Sequence, residues 1–396
     1  MNYPGVIYSD KLVMDKLSLA KKYIKPIDGH APGLIGKDAQ KYISSGITTD
    51  HECSSIEEAV EKIKYGMTIQ IREGSAAKNF DSLIDLLSTY PDKVMLCSDD
   101  KHPNDLIKGH INELYKRAVN KGYNPIDVLR TCTLNPVKHY NLNVGLLQKG
   151  DDADMVVVDN LNDFNILETY INGIKVAEKG KSLLKSVNDN NPNIFFATKI
   201  STNDILVQNN GKLIKVIKVN EGQLTTDCIF YKLVSNSNNI EPDIENDILK
   251  IVVVNRYTKS KPSVAFITGF GLKKGAIAST VAHDSHNIIA VGTNDKDIVG
   301  AINLIVDYKG GIALFNNDEK HILPLPVAGL MTDNDAHTIA DRYETIEKKS
   351  KELGTHLNSP FMTLSFMALL VIPKLKISDK GLFDGEKFSF TPLEAE

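Results

Sequence analysis

A chain of 396 residues with 50 acidic and 46 basic side chains, a net charge of −4 and 42% hydrophobic residues has the composition of an ordinary globular protein, with core enough for two or three domains. The near-balance of charge gives no electrostatic case for a nucleic acid or an anionic membrane surface as partner. The N-terminus, MNYPGVIYSD, lacks a basic region followed by an apolar core, no apolar run approaches the about 20 residues of a membrane span, and the four scattered cysteines Cys53, Cys97, Cys132 and Cys228 form no C-x-x-C pair, which argues against a zinc–thiolate site and for a reducing, cytoplasmic setting.

The first 140 residues alternate strand and helix patterns. Residues 25–30, 46–52, 67–74 and 93–100 are apolar or β-branched runs, and residues 37–44, 56–64, 80–87 and 110–121 carry helical periodicity. This alternation predicts an α/β fold with four parallel strands and helices outside them. Each strand closes on polar residues, in turn DGH, DHE, REGS and SDD. In a (β/α)8 barrel the site is built at these C-terminal strand ends. Four units make half of such a barrel, and half a barrel has open sheet edges that favour pairing with another chain, a second copy included.

From Asp151 the texture changes to short strands in DADMVVVD, ILETYING and IKVAEKG, read as a small β layer packed on the barrel. KSVNDNNPN at 185–193 reads as a linker. Beyond it lies a separate α/β region with IVVVNRY, SVAFITGFGLKKGAIASTVAHDSHNIIAVGTN, a helical DIVGAINLIVDY, a strand pair around GGIALFN and a long polar helix near 335–353. Gly269, Gly271 and Gly275 of GFGLKKGAIAS match neither G-x-G-x-x-G nor a Walker pattern, so no nucleotide-phosphate cradle is expected.

The chemistry lies at the strand ends. Neutral imidazole and carboxylate suit divalent Zn, Mn and Fe, ions that bring the pKa of a bound water toward neutrality. His30 and His51 are candidate ligands, and Asp99 of CSDD is a candidate ligand and proton acceptor. Singly, each histidine reads first as a hydrogen-bonding loop residue; the recurrence at equivalent points of successive units raises the metal reading to stand beside that one. Glu52 would orient a ring nitrogen or bind substrate, or else face solvent. His102 follows the last strand and reads as a loop or helix-entry residue.

Longer stretches carry a family resemblance. PIDGHAPGLIGKDAQKYISSGITTDHECSSIEEAVEKIKYGM, IREGSAAKNF, CSDDKHPNDLIKGH and TLNPVKHYNL resemble the second half of the barrel of adenine deaminases in the amidohydrolase superfamily. The resemblance continues through GDDADMVVVDNL into ITGFGLKKGAIASTVAHDSHNIIAVGTN, which is similar to the family's C-terminal domain. It implies that residues 1–140 are strands 5 to 8 of a (β/α)8 metal-hydrolase barrel, 141–190 the β layer of the amidohydrolase composite domain, and 191–396 an adenine deaminase-type C-terminal α/β (α+β) domain. A binuclear centre of Mn or Fe, with Zn as a further candidate, is also implied. His30 matches the strand-5 ligand, His51 the strand-6 ligand and Asp99 the strand-8 aspartate.

The implied reaction is hydrolysis of the C6 amino group of adenine to give hypoxanthine and ammonia, with Asp99 passing a proton from water to the leaving amine. Arg72, Glu73 and Ser75 of REGS stand where a loop would meet a purine edge, or form an ordinary strand-end ion pair. His283, Asp284 and His286 of AHDSHN would reach the active site, hold a metal, or simply be buried hydrogen-bonding groups. The family's H-x-H pair and bridging strand-4 carboxylate have no match: the sequence contains no H-x-H, and His283 and His286 are three apart. The expectation is therefore either an enzyme completed by a companion polypeptide or a non-catalytic remnant that binds. A mononuclear site of His30, His51 and Asp99 is the third reading; the family's strand geometry opposes it, because the strand-8 aspartate there serves the metal that the H-x-H pair also holds.

Overall fold

The computed structural model describes residues 1–75, 77–185, 192–232 and 237–395. The chain forms two compact units, one comprising residues 1–101 and 108–187, the other residues 102–107 and 188–396. Of the expected linker at 185–193, residues 186–191 lie outside the described residues.

The first unit opens with helices α1 (Tyr3–Ile7) and α2 (Lys11–Lys22), whose caps Asn2 and Asp10 accept from the amides of Gly5 and Val13. Helix α3 (Gly36–Ser44), strand β1 (Thr49–Asp50), α4 (Ile56–Lys64), β2 (Thr68–Arg72), α5 (Phe80–Leu83), which runs on into a 3-10 turn at Ile84–Ser88, and β3 (Val94–Cys97) follow. The three strands form a parallel sheet in the order β1-β2-β3, with Thr49 opposite Thr68 and Ile69 opposite Val94. Ile69, Ile71, Val94 and Leu96 are buried with Phe80, Leu83, Leu114 and Tyr115 in one core, which aligns the strands and brings their C-terminal ends together. The short α6 (Pro103–Leu106) belongs to the other unit, and α7 (Ile111–Asn120), α8 (Pro125–Cys132) and α9 (Leu134–Tyr140) return to the first. Strands β4 (Met155–Val158), β5 (Ile166–Ile171), β6 (Ile174–Glu178) and β7 (Lys181–Ser182) make an antiparallel sheet in sequence order.

Residues 25–30, expected as the first of four parallel strands, are not a strand; the parallel sheet has three. The segment runs beside β1 with one ladder-like bond, Thr48 N to Ile27 O at 2.9 Å, and its far side is held by Met1 and Tyr3, through His30 N to Met1 O at 3.1 Å and Tyr3 N to His30 O at 3.2 Å. Pro26 has no amide proton to give a ladder. At Gly29 a β-carbon would stand 2.0 Å from the Thr49 carbonyl oxygen, so the backbones approach more closely than any side chain allows.

The second unit is built on an eight-stranded sheet. Its strands are β8 (Ile214–Val219), β9 (Thr226–Tyr231), β10 (Leu249–Val254), β11 (Ser263–Thr268), β12 (Ala276–Ser279), β13 (Ile288–Gly292), β14 (Gly311–Asn316) and β15 (Glu319–Pro324), in the order β15-β14-β12-β13-β10-β11-β8-β9. All neighbours are antiparallel except the parallel pair β11 and β8. Helix α10 (Asp295–Tyr308) buries Ile298, Ala301, Ile302 and Ile305 with Val252, Ala278 and Ala290 of this sheet. Helices α11 (Ala336–Glu352) and α12 (Pro360–Phe366) and the small antiparallel sheet β16 (Leu375–Ser378), β17 (Gly381–Asp384) and β18 (Ser389–Phe390) complete it. Among the described residues no helix is long and apolar enough to cross a membrane.

The close approach at Gly29 yields a test. Gly29→Ala should destabilise the protein by about 1–3 kcal/mol, the usual cost of forcing a group into a filled space, read as a lower urea midpoint by circular dichroism. An unchanged midpoint would mean that residues 25–30 do not lie against β1 as described.

Candidate active site

Four neighbouring chain segments deliver polar side chains to one end of the parallel sheet: His30 from residues 25–30, His51 and Glu52 from just beyond β1, Arg72 from the last position of β2, and Asp99 from just beyond β3. His30 Nδ1 and His51 Nε2 stand 3.3 Å apart, and each lies 3.2 Å from Glu52 Oε1. Arg72 Nη1 is 2.8 Å from the same Glu52 oxygen and 2.6 Å from Asp99 Oδ2. Arg72 is 3% and Glu52 5% exposed at the side chain, whereas Asp99 is 35% exposed. The result is a chain of alternating charge that begins in the interior and ends at an accessible carboxylate.

Burial works to raise the Glu52 carboxyl, but the two imidazoles beside it and the Arg72 charge outweigh it and hold the group well below the usual carboxylate range. For His51, burial disfavours the charged ring, yet the bond to Glu52 and its charge prevail and the net direction is upward. Burial pushes the nearby Cys97 thiol up to about 12, so it stays protonated and is a poor ligand.

The donor set fits a divalent ion. Ligand atoms about 2.0–2.2 Å from a tetrahedral zinc stand roughly 3.3–3.6 Å from one another, and the three atoms of His30, His51 and Glu52 have separations of 3.2 to 3.3 Å. Glu52 Oε1 is buried and, among the described residues, makes no hydrogen bond of acceptable geometry, a costly condition for a polar atom that a cation between the three donors would relieve. His30 Nε2, the ring nitrogen outside this triad, is also buried without a partner among the described residues. Asp99 was expected in the same ligand set. It lies outside the group of mutually close donors and is joined to it by one guanidinium.

The residues that hold this arrangement carried no sequence signal of their function. Asp50, fully buried, accepts from Ala31 N at 3.2 Å and Glu52 N at 3.0 Å and pairs with Lys62 Nζ at 2.6 Å. Burial would raise the Asp50 carboxyl, but the Lys62 ammonium outweighs it and the net direction is down; for Lys62 burial would lower the ammonium, but Asp50 outweighs it and the direction is up. Asn79 donates to the carbonyls of His51 and Cys53 at 3.1 and 3.0 Å and accepts from Arg72 N at 2.7 Å, joining the β1 and β2 ends. Tyr42 accepts from His30 N at 2.9 Å and donates to the Met1 carbonyl. The only hint was the i, i+4 pair of Glu58 and Lys62 in SSIEEAVEKIK, which reads equally as a solvated helix face.

The remaining candidates are placed elsewhere. Glu73 meets Arg117 Nη1 at 2.8 Å, and the Ser75 amide bonds to Asp100 O at 2.9 Å. His102 caps α6 and packs edge-on against Tyr343. His283, Asp284 and His286 belong to the second unit. There His283 Nδ1 lies 2.6 Å from Ser365 Oγ with its ring beside Phe366, while burial, and after it the charges of His283 and Arg256, push His286 down.

Comparison with known proteins adds an independent line. Residues 1–176 match the amidohydrolase family and residues 223–389 the adenine deaminase C-terminal domain. An adenine deaminase of Methanosarcina barkeri is 51% identical, aligned over 100% of this chain and 73% of its own length. The adenine deaminase of a Sulfurovum species is 50% identical over 98% of this chain and 72% of its own, and that of Borreliella burgdorferi 46% identical over 98% and 72%.

Asn79→Ala should cost about 1–3 kcal/mol, because it leaves buried backbone groups of His51, Cys53 and Arg72 unsatisfied, and it should weaken uptake of a divalent ion by the same protein. Thermal denaturation and metal titration together check this; a variant as stable as wild type with unaltered uptake would remove Asn79 from the supporting structure.

Proposed function

The chain belongs to the adenine deaminase family of the amidohydrolase superfamily, and from that premise we propose that it serves the hydrolysis of adenine to hypoxanthine and ammonia at the C-terminal ends of its parallel strands. The observation that carries the proposal is the meeting of His30, His51 and Glu52 within 3.2 to 3.3 Å of one another on a sheet whose next two strands bring Arg72 and Asp99. Family membership implies a divalent metal; our reading is Mn or Fe, with Zn as a further candidate, in a binuclear centre that takes His30, His51 and Asp99 as ligands, with Glu52 now added from the geometry. When bound, such an ion polarises a water and lowers its pKa toward neutrality.

The chain's own residues supply the rest. Arg72, always protonated, favours the ionised form of Glu52 and pairs with Asp99 Oδ2 at 2.6 Å. Asp99 keeps Oδ1 outside its Arg72 pair and is the accessible member of the group, so it is suited to take a proton from water and return it to the departing amine. Arg72 ends β2 at the same strand ends and is the group we assign to the purine; Glu73 and Ser75 directly follow it in the chain and remain candidates.

We read residues 1–140 as strands 5 to 8 of a (β/α)8 barrel, 141–190 as the composite β layer and 191–396 as the adenine deaminase-type domain, in a protein of the cytoplasm, where its four unpaired cysteines would remain reduced. The family's H-x-H pair and strand-4 carboxylate, absent from this sequence, would come from a companion polypeptide. The open edges of the three-stranded sheet also suit self-association.

Ammonia release from adenine at fixed Mn, measured with and without a companion carrying H-x-H and the strand-4 carboxylate, tests the reading. The complex should turn over and the 396-residue chain alone should not. His30→Ala, His51→Ala or Asp99→Ala should each lower the rate of the complex by roughly 10²-fold or more. Robust turnover by the chain alone would show that the required ligand set is wrong, and a complex that binds adenine without releasing ammonia would favour a binding protein. Light scattering after size-exclusion chromatography should give a mass above that of one chain.

A further inference from the structure

We infer that Lys62 is the positioning residue of this site: its buried ammonium ties the loop after His30 to the loop that carries His51 and Glu52, and so sets the spacing of the three metal donors. The inference rests on the metal reading given above and adds a residue which that reading does not use.

The ammonium carries three protons and has three acceptors on separate segments. They are Ala31 O at 2.7 Å, Asp50 Oδ2 at 2.6 Å and Glu58 Oε1 at 2.7 Å. Each belongs to, or holds, a loop of the site. Ala31 directly follows His30, and Asp50 directly precedes His51. The other Asp50 oxygen takes the amides of Ala31 and Glu52. Glu58 accepts from Gly33 N at 2.9 Å through Oε1 and from Ser54 N at 3.1 Å through Oε2. Thus one residue of α4, 1% exposed at the side chain, fixes the backbone on both sides of the gap across which His30 and Glu52 face each other.

The same geometry keeps the ion where the histidines are. Asp50, Cys53 and Glu58 form a second set of buried donors close enough to hold a metal, and the Lys62 ammonium already sits between two of them. A fixed positive charge there leaves His30, His51 and Glu52, whose Glu52 Oε1 lacks a hydrogen bond of acceptable geometry, as the set open to the ion. Groups that support metal ligands from behind typically change metal affinity about 10- to 100-fold when removed.

The experiment compares Lys62→Met, which keeps length and loses charge, with Val128→Ala, a cavity variant in the same unit's core on α8, an element that supplies none of the site's donors. Cobalt(II) is titrated into each full-length protein and followed by its visible absorption, and backbone amide exchange is measured on the metal-free proteins. Lys62→Met should bind cobalt about 10- to 100-fold more weakly with an altered absorption band, and the Ala31, Gly33 and Glu52 amides should exchange faster. Val128→Ala should lose stability and change neither property. Wild-type exchange at those amides in Lys62→Met, or an equal loss of cobalt affinity in Val128→Ala, would overturn the inference. A wild-type protein that takes up no cobalt would instead refute the metal reading, while the exchange rates would still decide the role of Lys62.

Discussion

The ion pair between Lys62 and Asp50 is the constraint on which the site depends. Both side chains are essentially removed from water, and desolvating each ion costs several kcal/mol, which their attraction offsets only when geometry is good and the remaining hydrogen-bonding capacity is filled. Here it is filled, by backbone groups from two loops and by Glu58. A hydrophobic pair of similar size would often serve stability as well. What an apolar pair cannot do is accept the amides of Ala31 and Glu52, and those bonds determine where His30 and Glu52 stand.

Outward from that pair, the Asp50 carboxylate, the imidazoles, Glu52, Arg72 and Asp99 follow one another from the interior to the accessible rim, and the ionised groups Lys62, Asp50, Glu52, Arg72 and Asp99 each have an opposite charge beside them. Glu52 shows the consequence: a carboxylate that burial would neutralise stays ionised because three cationic or proton-donating groups surround it. Its crowding also explains why the same oxygen lacks a well-aligned hydrogen bond; donors arriving from three directions cannot all point at one atom. A single divalent ion satisfies such a group better than three imperfect donors do.

Local chemistry made part of this legible. Helix α4 falls at residues 56–64 as its pattern indicates, because Ser55 caps it and acidic residues occupy its first turn, and His30 and His51 stood out because they recur at strand ends. The segment 25–30 looked like a strand, but Pro26 and Gly29 serve a close approach instead of a ladder, a distinction that depends on Thr49, a residue from the next unit. Lys62 and Glu58 carry helix-surface chemistry in the sequence and are interior in the structure, since burial is decided by the loops that close over α4. The link between Asp99 and Arg72 spans 27 positions, beyond any local pattern. In the second unit the composition indicated strands and helices, but the single parallel pair within an otherwise antiparallel sheet follows from pairings distant in sequence.

The central claim is that the ends of these parallel strands bind a divalent ion through His30 and His51. Anomalous X-ray diffraction from crystals of the manganese-loaded protein, recorded at energies on either side of the metal edge, tests it most directly. The account predicts a peak within bonding distance of His30 and His51, with Glu52 or Asp99 completing the shell. A well-ordered metal bound elsewhere, with His30 and His51 still facing each other around Glu52 alone, would contradict it.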